Sequence, residues 1–117
     1  MIILKITMNV ILEKQKELVQ TLLSMMGPTE KASGCLGCTL YCDMEDKNLL
    51  MFLGEWQTRK DLDHHLGSDI FSVLLGTKSL LHEPHVIQIY TIHQTEGMET
   101  THASLRNKPK QAKTTIE

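Results

Sequence analysis

His65 is the residue in this chain best equipped for chemistry. Imidazole both accepts and donates protons near neutral pH without help from its surroundings. It lies in the run Asp61-Leu62-Asp63-His64-His65-Leu66-Gly67-Ser68-Asp69. Asp61 and Asp69 stand four residues before and after it, so on a continuous helix either carboxylate would orient the ring and raise its basicity. His64 points about 100° away on such a helix and faces solvent. The competing reading is a ring that merely fills the boundary between a helix and a sheet. Trp56 is either an aromatic wall for a flat substrate or the largest core side chain in a chain with five aromatics. Asn9 shares a strand face with Lys5 and Thr7 and can bond a substrate oxygen. Otherwise that face meets a partner or water.

Two further clusters invite a metal reading, and both are thin. Cys35-x-x-Cys38-x-x-x-Cys42 holds a lone CxxC, whereas a closed structural zinc site takes four ligands. In an extended strand Cys38 and Cys42 share a face roughly 13 Å apart, with Cys35 facing the other way. A disulfide needs Cα atoms within about 7 Å. The exception is a bulge near Gly37 that curls Cys35 toward Cys38. These thiols read as small, buried apolar groups. His82-Glu83-Pro84-His85 offers two imidazoles in a loop, without helical HExxH spacing. Neither cluster predicts a metal or a cofactor, and no Gly-rich phosphate loop is present.

The elements that must position these residues are legible as patterns. From Ile2 to Ile11 the even positions are apolar and the odd ones mixed, which is a strand with one greasy face. From Glu13 to about Met26, Leu18, Val19, Leu22, Met25 and Met26 recur at helical spacing. Gly27-Pro28 should end or sharply kink that helix, with one more turn over Thr29 to Ala32. Cys35 to Asp43 and Asn48 to Trp56 read as a hairpin around the turn 44–47. Residues 59–66 and 68–81 read as helices, with Ser68 capping the second, and Val86 to His93 as the last strand.

Strand–helix–strand–strand–helix–strand is the α+β, ferredoxin-like βαββαβ plait. Right-handed crossovers place the helices on one face of a four-stranded antiparallel sheet. Yet both faces of the third strand are apolar: Leu49, Met51 and Leu53 on one, Leu50, Phe52 and Trp56 on the other. The economical cover for the second face is another copy of the sheet, which makes a homodimer.

Bulk properties set the frame. At 117 residues and 41% apolar content the chain has room for one core. The net charge of −2 gives no bulk attraction to nucleic acid or acidic membrane. No apolar run approaches the roughly 20 residues that cross a bilayer. The N-terminus lacks a basic leader with a small-residue cleavage site, so a cytoplasmic location is expected. Residues 1–96 form the expected domain. Residues 97–117 carry Arg106, Lys108, Lys110 and Lys113 against Glu99 and Glu117, and read as a polar, basic, largely flexible extension.

The alternating first strand, Gly34-Cys35 opening the second, Glu55-Trp56 ending the third and Leu62-x-x-His65-x-x-Ser68-x-x-Phe71 together resemble the antibiotic-biosynthesis monooxygenase family. The resemblance covers about residues 1–96 and implies a dimeric α+β barrel like that of the small quinol monooxygenases. It implies a cofactor-independent oxidation of a small quinol, phenol or polyketide-like compound by O2, the substrate itself supplying the electrons. His65 would then be the base or the donor to the substrate oxyanion, with Trp56 and Phe71 shaping the pocket and Asn9 polarising the substrate. Haem-degrading relatives place Trp at the position of His65 and their iron-binding His at that of Leu75, so the resemblance carries no haem site. The alternatives within this fold are a non-catalytic, dimeric small-ligand binder and an enzyme that processes a small signal molecule.

Overall fold

The structure, a computed structural model, describes residues 1–98, so the extension beyond Met98 lies outside the described residues. Strand β1 spans Ile2–Asn9, and its even residues Ile2, Leu4, Ile6 and Met8 are buried while the odd ones are half-exposed. A 3-10 turn at Leu12–Lys14 leads into helix α1, Gln15–Glu30. Strands β2, Cys35–Cys42, and β3, Leu49–Trp56, form the hairpin. Helices α2, Arg59–Leu66, and α3, Asp69–Gly76, are followed by a 3-10 turn at Thr77–Leu80 and by β4, Val86–Thr91. The sheet order is β2-β3-β1-β4, with every neighbouring pair antiparallel. This is the ferredoxin-like plait, with the helices on one face.

Leu18, Leu22 and Met25 of α1 and Leu62, Phe71 and Leu74 of α2 and α3 meet the even face of β1 and the Leu50–Phe52–Trp56 face of β3. Among the described residues no helix lies over the opposite sheet face. That face presents Ile3, Leu49, Met51 and Leu53 at half exposure, with Tyr41, Val86 and Tyr90 between 41% and 52% exposed. Among the described residues no helix is long and apolar enough to cross a membrane.

Three local expectations are corrected. Helix α1 does not end at Gly27-Pro28 but runs to Glu30. Pro28 sits in the last turn, where its missing N–H forfeits a single bond, and the Lys31 amide still closes on the Gly27 carbonyl at 3.2 Å. The expected long helix over 68–81 tightens to 3-10 geometry after Gly76, where the Thr77 hydroxyl donates to the Leu74 carbonyl at 2.6 Å. The β2 register slips between Cys35 and Gly37, so Leu36 is the extra residue of a bulge. Cys35 therefore pairs with Trp56 and Cys38 with Gly54, which puts both thiols on the helix face rather than on opposite faces.

Candidate functional site

The site forms where the C-terminal end of β3 passes into α2. Trp56, the last residue of β3, is 1% exposed. Its indole edge lies over Gly54, where a Cβ would stand 3.0 Å from Nε1, so the strand offers a flat seat that only glycine leaves free. Thr58 then caps α2: its hydroxyl oxygen accepts from the Asp61 amide at 3.1 Å and donates to the Asp61 carboxylate at 2.8 Å. This fixes the start of α2 and brings His65 back over Trp56 two turns later.

The His65 ring stacks on Trp56 with centroids 4.6 Å apart and planes 28° apart. Phe71 meets its other side edge-on at 5.5 Å. Ser68 sets that second contact, since its hydroxyl donates to the His65 carbonyl at 2.6 Å and accepts the Phe71 amide at 3.3 Å. The helix breaks at Gly67 and restarts at Asp69, a geometry that Ser68 caps. Desolvation pushes the His65 imidazole below its ordinary pKa of 6.5, so the ring is neutral at pH 7 and can accept a proton.

A cavity of about 170 Å³ opens beside this stack, lined by Trp56, His65, Ile70, Ala32, Ser33 and Asp61 among others. Its lining is mostly apolar, and the exposed His64 stands at its rim. A larger hollow of about 260 Å³ lies between Lys5, Tyr41, Asp43 and Met51 on the helix-free sheet face. It contains neither His65 nor Trp56.

Of the three residues expected from sequence to share a pocket, Trp56 and His65 line the cavity, while Phe71 packs behind the His65 ring and is not among the lining residues. Asn9 is not brought to them. It is an odd residue of β1, on the helix-free face, and pairs with Leu49, whereas Trp56 pairs with Ile2 at the other end of the strand. That separation is roughly 23 Å along β1, so Asn9 cannot polarise a substrate held at His65. Neither flanking carboxylate orients the imidazole. Asp61 is held by Thr58, and the break at Gly67 takes Asp69 out of register. His65 is 4% exposed, so it fills the helix–sheet boundary as well as walling the cavity.

Asp61 as a cavity wall was not foreseen, although Thr58-x-x-Asp61 is a capping-box spacing visible in the sequence. Its carboxylate packs over Gly34, whose φ of +81° and lack of Cβ make the close approach possible. The three cysteines are free thiols, and burial pushes Cys38 up to about 11. Near its N-terminus β4 is joined to the helices by His85, whose Nε2 is 2.9 Å from the Thr77 hydroxyl. Among the described residues no three His, Cys, Asp or Glu side chains are grouped to hold a metal.

The family model described as antibiotic biosynthesis monooxygenase matches residues 1–74, which include β1, the hairpin, Trp56, His65 and Phe71. The chain belongs to this family. Solved structures agree on the fold. A conserved protein from Methanosarcina mazei is 29% identical, with TM-score 0.72, over 76% of this chain and 89% of that one. A structure described as an antibiotic biosynthesis monooxygenase is 18% identical, with TM-score 0.73, over 80% of this chain and 100% of that one. A Mycobacterium tuberculosis protein is 20% identical, with TM-score 0.74, over 80% and 96%. No curated protein gives a significant match. Membership of the antibiotic biosynthesis monooxygenase family brings the fold and a class of oxidative chemistry, and leaves the substrate to the site.

Proposed function

We propose that the protein is a cofactor-independent monooxygenase that oxidises a small quinol or phenol with O2, acting in the cytoplasm as a homodimer joined through its helix-free sheet face. The observation that carries this is a neutral imidazole, stacked on Trp56 and bordered by Phe71, at the wall of an apolar cavity. Neutral His65 takes the proton from the bound hydroxyl. The resulting anion is electron-rich enough to reduce O2 directly. With a hydroquinone, one oxygen atom of O2 ends on the ring and the other leaves as water. The product is a hydroxyquinone, and all four electrons come from the substrate. Trp56 holds the ring flat, and the apolar walls keep bulk water from competing for the anion.

A dimeric small-ligand-binding protein is the second reading. One observation favours it: no carboxylate orients His65, so its basicity gains nothing from a neighbour.

Oxygen uptake separates the two. Chelator-treated protein should consume O2 with at least one quinol of a panel. His65→Phe keeps the stacked ring and loses the nitrogens, and it should cut the rate at least about tenfold, equivalent to about 1.4 kcal/mol. No uptake above the protein-free rate with any quinol would reject the monooxygenase.

A further inference from the structure

We propose that the His65 cavity is specific for a single aromatic ring without an anionic substituent: a one-ring hydroquinone, catechol or phenol that is neutral or carries a cationic amine. The inference rests on the monooxygenase reading for its choice of ring chemistry, and on the cavity itself for size and charge. About 170 Å³ is available in the cavity that Trp56, Ala32 and Ser33 help to line. An apolar cavity of about 150 Å³ holds one benzene ring, whereas sites for larger ligands begin near 300 Å³. A second fused ring does not fit within this volume: it would have to project past the rim at His64 or displace Ile70.

Charge narrows the class further. Asp61 places its carboxylate in the wall, and its hydrogen-bond partner is a hydroxyl rather than a cation. Arg59, on the same helix, is paired with Asp63 at 2.8 Å. Among the described residues no Lys or Arg side chain lines the cavity, and the titratable groups that do are Asp61, His64 and His65. A ligand carboxylate would face a like charge with His65 held neutral by burial. An ammonium group would instead meet a carboxylate.

Trp56 is the only tryptophan of the chain, so its fluorescence reads occupancy of this wall without requiring turnover. The experiment titrates the whole protein under nitrogen with hydroquinone, 1,4-naphthohydroquinone and 2,5-dihydroxybenzoate, each corrected against free tryptophan. Hydroquinone should quench saturably, and the other two should bind at least about tenfold more weakly. Ile70→Ala should narrow the two-ring gap, and Asp61→Asn, which keeps the shape of the cap, the carboxylate gap, each at least about threefold. Two-ring or carboxylated ligands binding wild type as tightly as hydroquinone would overturn the proposal, as would no binding by hydroquinone. The two readings fail separately. Selective quenching without oxygen uptake in air sinks the monooxygenase and leaves the specificity standing. Uptake that prefers two-ring quinols does the reverse.

Discussion

At the scale of single residues, the proposed reaction gives His65 two jobs whose demands conflict. A proton acceptor needs contact with its substrate, and a core residue needs to be covered. The stack on Trp56 reconciles them, because a neutral ring is a tolerable core group and a protonated one is not. Stability should therefore depend on pH with a definite sign. Burial holds His65 and His85 below 6.5 in the folded protein, while the unfolded chain titrates near 6.5. Between those values the unfolded state binds more protons, so stability is complete above 6.5 and falls as the solution is acidified. Melting curves from pH 7.5 to 5 should show this fall, and His65→Phe should flatten it. The difference is at most about 1.4 kcal/mol per pH unit, the limit for one proton. Parallel curves for the two proteins would show that His65 is not held neutral by burial. The meeting of His65, Trp56 and Phe71 was legible from residue spacing and family likeness. The isolation of Asn9 follows from strand parity, since odd residues of β1 face away from the helices.

At the scale of elements, the site depends on two turns that touch. Gly34 opens β2, and its carbonyl accepts from the Gln57 amide at 2.8 Å, just after β3. Asp61, in the first turn of α2, fills the space where a Gly34 side chain would be, with its Cγ 2.1 Å from the position of that Cβ. Gly34→Ala should destabilise the protein by more than about 1 kcal/mol, because it combines a positive φ with a clash. Adding Asp61→Ala should remove the Cγ and Oδ2 part of the clash while leaving the Asp61 Cβ contact and the backbone strain, so the double variant should still lose less than the sum of the single losses in denaturant unfolding. Strict additivity would mean that the two turns do not bear on each other.

The buried face of β1 could be read from sequence because its even positions are apolar without exception. Strand β3, apolar on both faces, was legible as a strand only from its place after the turn 44–47. A bulge near Gly37 was open as the exception in the sequence, but register is decided by pairing with β3, and nothing in Cys35-Leu36-Gly37 fixes that Leu36 is the extra residue. The further turn after Pro28 was expected, but that it continues α1 as one helix was not. Local propensity at Gly27-Pro28 favours a break, while Thr29 is buried in the packed structure.

At the scale of the whole molecule, the plait covers one sheet face with helices, and among the described residues no helix covers the other. Tyr41, Val86 and Tyr90 are far more exposed than side chains of their size need be in a closed core. The protein should therefore have twice the 13.3 kDa chain mass in light scattering. A monomer at micromolar concentration would leave the helix-free face without its proposed partner. The central claim, however, concerns chemistry: this protein uses its own substrate as the reductant of O2, with His65 as the proton acceptor. The most direct measurement supplies ¹⁸O2 to the chelator-treated protein with a one-ring hydroquinone and follows both gas uptake and product mass. One O2 consumed per hydroquinone, one labelled atom retained in the product and loss of both with His65→Phe is the predicted result. Uptake that leaves the product unlabelled, or full activity in His65→Phe, would contradict the account.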